Sequence, residues 1–326
     1  MTDTRRRVVV LSLGGTIAMT SQEAGRATPT LSADDLVAAV PGLAETGLMV
    51  EVRDFRRLPG ASLAFSDLLD LVREIEALDA DGVVITQGTD TIEETSYLID
   101  LVYSGQMPVV ITGAMRNASM AGADGPANVL ASIRTAASKE ARGAGVVVVF
   151  GEEIHAARWV RKAHATSPTA FASYPGPIGY VAEDQVRVWT YPGDQPKIPL
   201  QKTKPDVRTA VALIGLGDDG AVLQAIGTQV DGLVVAAFGA GHVPMACVDT
   251  LTDLAKRMPV ILATRTGAGP VLRDTYGFPG SESDLLARGL ISANTLGPIK
   301  ARILLQLLLM RGAGQGEIAE HFRIIH

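Results

Sequence analysis

Unbroken runs of Val, Ile and Leu recur along the chain, each closed by glycine and small polar residues and followed by a helical pattern. The clearest cover residues 7–13, 82–85, 108–111, 145–150, 210–215, 232–237 and 259–263. Runs of this kind lack polar alternation, which suits strands buried on both faces. Strands that alternate with helices mean βαβ units and a mainly parallel sheet. The fold expected is α/β, in two domains, each a mainly parallel sheet flanked by helices.

The pattern changes between residues 174 and 206, where Pro175, Pro177, Pro192, Pro196, Pro199 and Pro205 fall among Gly and Lys. A hairpin is expected there, from 178–181 and 185–189, and a linker after it. The division expected is a large domain over 1–191, a linker over 192–209 and a smaller domain over 210–326. The length, 326 residues, also suits two domains.

In an open parallel sheet, ligands bind outside the carboxyl ends of the strands. Three strand ends stand out. They are Gly14-Gly15-Thr16-Ile17, Thr86-Gln87-Gly88-Thr89-Asp90-Thr91, and Thr112-Gly113-Ala114-Met115-Arg116. Glycine lets the backbone turn tightly and a ligand come close. In the second end, Asp90-x-x-Glu93 and Thr91-x-x-Glu94 each read as a capping box, and acidic residues there suit the helix dipole. Capping leaves Thr89 unexplained. The functional reading is a threonine nucleophile, whose hydroxyl needs a base at neutral pH.

Composition narrows the choice of base. The chain has five histidines, and near the strand ends His155 and His164 are the candidates. A lysine can also take the role. Lys162 lies in the run Arg158-Trp159-Val160-Arg161-Lys162-Ala163-His164, where neighbouring cations would disfavour its charged form. The same run also reads as a solvated basic face.

Composition also excludes some classes. The chain is 47% hydrophobic and 20% charged, enough apolar content for a sizeable core. Net charge is −6 with no long basic run, which argues against nucleic acid as partner. The single cysteine, Cys247, rules out an internal disulfide and suits a reducing, cytoplasmic compartment. No metal-ligand spacing occurs. Neither a complete G-x-G-x-x-G nor a Walker motif is present, and Asp218-Asp219 would repel a pyrophosphate. The apolar start is read as a strand, not a signal peptide. The run at 303–310 is too short to span a bilayer.

Gly14-Gly15-Thr16-Ile17-Ala18 and Thr86-Gln87-Gly88-Thr89-Asp90-Thr91-Ile92-Glu93-Glu94-Thr95 together resemble the two signatures of bacterial-type L-asparaginases. Residues 108–116, 123–128 and 300–306 are similar to further segments of that family, so the resemblance covers nearly the whole chain. It implies hydrolysis of the side-chain amide of asparagine, and often of glutamine, to the acid and ammonia without metal or cofactor. By resemblance, Thr16 is the nucleophile, Thr89 pairs with Lys162, and Asp90 binds the substrate's amino group. Ser62 matches a serine that binds the α-carboxylate, and backbone N–H groups near Gly88 and Thr89 would hold the oxyanion. Ala114 marks the backbone that holds the departing nitrogen, and Glu282 matches a C-terminal acidic residue. Homodimers or homotetramers with sites near subunit interfaces are implied too.

The chain departs from the family in three places. Residues 19–31, where the lid tyrosine of the family belongs, contain no tyrosine. Leu63 replaces a polar residue beside Ser62, and His242 stands where an Asn from a neighbouring subunit often lies. These departures motivate a second expectation, an amino-acid-binding or regulatory protein with weak or no turnover. A third is an amidase subunit of a larger amidotransferase.

Overall fold

The computed structural model describes residues 5–15, 19–21, 27–29, 33–199, 204 and 206–325. The chain divides into two compact units, Met1–Asp194 and Gln195–His326. The strands of unit one are β1 (Arg7–Ser12), β2 (Met19–Ser21), β3 (Ala27–Pro29), β4 (Met49–Asp54), β5 (Gly82–Thr86) and β6 (Val109–Thr112). They continue with β7 (Val146–Phe150), β8 (Glu153–Ala156), β9 (Val160–Lys162), β10 (Phe171–Ser173), β11 (Gly179–Ala182) and β12 (Gln185–Val188). Eight of them form one sheet in the order β12-β11-β8-β7-β6-β5-β1-β4. From β4 to β7 all neighbours are parallel, and β8, β11 and β12 extend the sheet antiparallel. Two ribbons stand apart, β2 with β3 and β9 with β10.

The apolar runs explain the parallel region. β5, β6 and β7 are buried at every position, which a sheet covered on both faces requires. The cover comes from α1 (Ala33–Ala38), α2 (Phe65–Ala77), α3 (Ile92–Val102) and α4 (Gly125–Ala137). α2 buries Leu68, Leu69, Leu71, Val72 and Ile75, a stripe at helical spacing. Each such side chain contributes about 1.5–3 kcal/mol when fully buried. The expected hairpin forms as β11 and β12, joined at Glu183 and Asp184, both at positive φ.

The strand order sets the place of the site. From β1 the chain passes to β4 on one side and then to β5 on the other. Such a reversal opens a crevice at the carboxyl ends of the two strands it separates. Gly14-Gly15 and Gly88-Thr89 leave β1 and β5 at that crevice.

Unit two holds a parallel sheet of β13 (Thr209–Leu213), β14 (Gly232–Ala237), β15 (Val260–Thr264) and β16 (Ile291–Ser292). Its helices are α5 (Ala221–Ile226), α6 (Val248–Arg257), α7 (Glu282–Ala287), α8 (Pro298–Arg311) and α9 (Gln315–Ile324). The run at 303–310 belongs to α8, a core helix with Ile303, Leu304, Leu305, Leu307 and Leu308 buried. Gln306 is accommodated there by accepting from Thr209 Oγ1 (2.7 Å) and donating to the Val207 carbonyl (2.8 Å). Among the described residues, no helix is long and apolar enough to cross a membrane.

Candidate active site

The two glycine turns touch through their backbones. Gly15 has φ +96°, and a Cβ placed on it would lie 2.1 Å from the Gly88 nitrogen. Glycine is required there by conformation and by space. Thr16 follows directly and lies outside the described residues, as does most of the segment expected to carry a lid.

The second turn is fixed to the sheet from both sides. The Gln87 N–H donates to the Thr112 carbonyl of β6 (3.1 Å). Thr89 to Thr91 then make one short 3-10 turn ahead of α3. The capping expected of Asp90 and Thr91 is not how this turn is built. Thr91 occupies the N-cap position of α3 but makes no side-chain cap. Its hydroxyl donates to the Gly60 carbonyl (3.0 Å) and accepts from Gln87 Nε2 (3.2 Å). That chain of hydrogen bonds ties the turn at Gly60–Ser62 to the turn that carries Thr89. A local cap would bind one helix end; this bond crosses 31 residues. Ser62 is exposed on the tied turn.

Lys162 reaches this turn from the far side. β9 and β10 form an antiparallel ribbon, steadied against β7 by the Phe150–Phe171 ring contact (centroids 4.7 Å apart). The Lys162 N–H donates to the Glu93 carboxylate of α3 (3.3 Å). Its ammonium Nζ donates to Thr89 Oγ1 (3.0 Å) and Asp90 Oδ1 (2.7 Å). Thr89 is buried, whereas Asp90 keeps an exposed carboxylate beside it. The expected basic face resolves residue by residue. Arg161 is exposed, one position from Lys162 in a strand, where neighbours face opposite ways. Arg158 donates to the Pro192 and Gly193 carbonyls.

Neither candidate histidine bonds to Thr89. His155 is buried on β8, with Nδ1 2.9 Å from Ser173 Oγ. Its Nε2 lies 3.4 Å from the Glu153 carboxylate and makes no hydrogen bond. Burial pulls its pKa down to about 4. His164 Nδ1 accepts from the Thr166 and Ser167 N–H groups.

The third strand end is held by α4. Asp124 accepts from the Met115 N–H (3.0 Å) and the Arg116 N–H (2.9 Å). Asn128 donates from Nδ2 to the Gly113 carbonyl (3.0 Å) and accepts at Oδ1 from the Gly151 N–H (3.0 Å). The backbone around buried Ala114 is therefore clamped from two sides. Asp124 and Asn128 lie in the 123–128 segment, but nothing in the sequence assigns them this task, because their partners are backbone groups in the turns that follow β6 and β7.

Glu282 sits in unit two, where it opens α7 and is fully buried. Its carboxylate accepts from the Thr275 N–H (3.0 Å), the Tyr276 N–H (2.8 Å) and His242 Nε2 (3.1 Å). Burial alone would raise its pKa, but these N–H donors outweigh burial and lower it. His242 is the partly exposed member of the pair, and the rings of Tyr276 and Phe278 meet it edge-on.

Residues 7–192 match the family model described as Asparaginase, N-terminal, and residues 210–322 match Glutaminase/Asparaginase C-terminal domain. A probable L-asparaginase of Deinococcus radiodurans is 36% identical, with 97% of each chain covered. A glutaminase-asparaginase of Pseudomonas fluorescens is 31% identical, over 97% of this chain and 89% of its own. A probable cytoplasmic L-asparaginase of Campylobacter jejuni superposes with a TM-score of 0.87 at 31% identity, covering 98% of this chain and 99% of its own. The chain belongs to the bacterial-type L-asparaginase family and is an L-asparaginase-like amidohydrolase.

Proposed function

We propose that the chain hydrolyses the side-chain amide of L-asparagine, and of L-glutamine as a second substrate, to the acid and ammonia. The observation that carries this reading is the Lys162 ammonium on Thr89 Oγ1 and Asp90 Oδ1, at the crevice that Gly15 and Gly88 line. Asp90 then holds the substrate ammonium with its exposed carboxylate, and Ser62 binds the α-carboxylate from the neighbouring turn.

Thr16 Oγ attacks the amide carbon, and backbone N–H groups near Gly88 and Thr89 hold the oxyanion. The hydroxyl proton passes to the departing nitrogen, the C–N bond breaks and ammonia leaves. Ala114 marks the backbone that guides this nitrogen. Water, prepared by Thr89 and Lys162, attacks the resulting ester, and the proton returns to Thr16 as the acid departs. Splitting one hard displacement into two easier ones is what a covalent nucleophile offers. The oxygens of Glu282 are committed to His242 and two backbone N–H groups, so this residue acts on a substrate through His242.

The proposal also covers a homodimer or homotetramer with sites near subunit interfaces, and the cytoplasm as compartment. The test is ammonia release from asparagine, glutamine and close analogues. Steady turnover is expected. Calorimetric binding of asparagine with no product, even at high enzyme concentration, would overturn the reading in favour of an amino-acid-binding protein.

A further inference from the structure

A second cleft lies at the other end of the large sheet. It has a volume of about 440 Å³ and is lined by Arg6, Glu45, Arg134 and Asp184, with Leu48 and Val186 as its apolar wall. Arg6 immediately precedes β1, and Arg134 sits in the last turn of α4. The proposed active site lies at the opposite ends of both elements. β1 alone has six residues, or about 20 Å at about 3.3 Å each. The two sites share no side chain.

The cleft is built from four charged groups on four separate pieces of chain. Arg6 donates to the Ala137 carbonyl, the last residue of α4. Arg134 pairs with Asp184, at the tip of the β11–β12 hairpin. Glu45 comes from the short 3-10 turn ahead of β4. A guanidinium carries five N–H donors in a fixed fork. One bond to a carbonyl and one to a carboxylate leave donors on both groups for a further acceptor.

The formal charges cancel, two cations against two carboxylates. That balance decides the ligand chemistry. A phosphate or sulfate would meet two carboxylates and be repelled. An organic cation would meet two guanidinium groups. A compact zwitterion satisfies both pairs, with paired guanidinium groups favouring a carboxylate in particular. The volume falls in the range of small-molecule pockets, and Leu48 and Val186 leave an apolar surface for a side chain.

We propose that this cleft binds a free α-amino acid, its carboxylate on Arg6 and Arg134 and its ammonium on Glu45 and Asp184. A peptide terminus does not fit, since it separates the two charges. The proposal does not rest on the reaction proposed above; a chain that released no ammonia could still hold this site.

Calorimetric titration of the full chain with L-aspartate tests it, because aspartate is not consumed by amide hydrolysis. Two classes of site are expected in the wild type. Arg134→Lys keeps the charge but loses the fork, and should weaken one class at least tenfold while sparing the other. Glu45→Gln should weaken the same class. Lys162→Met should affect the other class instead, which separates this cleft from the crevice at Thr89. A single class of site that Lys162→Met weakens and Arg134→Lys spares would overturn the proposal. So would two classes unaltered in Arg134→Lys, or equal displacement of aspartate by inorganic phosphate. The double variant Arg6→Met with Arg134→Met should lose the class outright. If circular dichroism shows that variant unfolded, the two single substitutions decide.

Discussion

Gly15 and Gly88 stand so close that no side chain fits between them; a Cβ on Gly15 would lie 2.1 Å from the Gly88 nitrogen, in backbone and not in a movable side chain. The φ of +96° at Gly15 adds a second penalty. Gly15→Ala is therefore expected to push the first turn away from the second. Ammonia release should fall at least a hundredfold, while thermal unfolding shows a folded protein of lower Tm.

Lys162 Nζ makes one hydrogen bond to Thr89 Oγ1 and one to Asp90 Oδ1, and bridges the two side chains. Lys162→Met should lower kcat by about 10²–10⁴, the usual contribution of a positioned proton-transfer group. The far-ultraviolet spectrum should stay unchanged. A kcat within threefold of wild type would remove Lys162 from the mechanism.

Thr16→Ala and Thr89→Val should each lower kcat by orders of magnitude. Thr89 acts on the ester that Thr16 forms, so a chain without Thr16 leaves Thr89 nothing to act on, and the double variant should be little worse than either single one. Strictly multiplicative losses would mean that the two hydroxyls do not act on one covalent route.

Thr91 holds the Gly60 carbonyl by its hydroxyl and accepts from Gln87 Nε2. Thr91→Val leaves both groups without that partner, a cost of about 1–3 kcal/mol in a buried setting. Because the Ser62 turn loosens, KM should rise more than kcat falls. Thr91→Ser keeps the hydroxyl and should restore KM, whereas a purely steric role for the side chain predicts the opposite ranking of Val and Ser.

His155 gives a pH prediction. Its imidazole is held down to about 4 by burial, against an ordinary value of 6.5. Between those values the unfolded chain binds a proton that the folded chain refuses. Stability contributed here is thus complete above pH 6.5 and is lost as pH falls toward 4. Between pH 7 and pH 5 the loss is about 2 kcal/mol, from about 1.4 kcal/mol per pH unit below 6.5. Urea unfolding at both pH values should show His155→Gln less sensitive than wild type by about that amount.

The apolar runs were legible because a strand buried on both faces leaves no polar position in its sequence. Residues 82–85, 108–111 and 232–237 fall on β5, β6 and β14. Lys162 and the Thr89-Asp90 pair were also legible, and the structure brings them within hydrogen-bond distance. The role of Thr91 was not. A capping box and a long-range clamp use the same residues, and the choice depends on whether Gly60 stands nearby. Asp124 and Asn128 were hidden for a related reason, since their partners are backbone groups of Gly113, Met115, Arg116 and Gly151. Sequence patterns report side-chain identity and are silent about which carbonyl a fold leaves within reach. The commitment of Glu282 to His242 likewise depends on a loop path that no periodicity encodes.

The bond from Thr91 to Gly60 has a consequence for its neighbour two residues earlier. Thr89 is relieved of any duty to hold its own turn in place. Gln87, Gly88 and Thr91 supply the anchorage on either side, so the Thr89 hydroxyl can rotate between acceptor and donor roles without disturbing the backbone. The relay proposed for Thr89 would use that freedom, a swivel mounted between fixed posts, and the bonds of Gln87 and Thr91 set the posts.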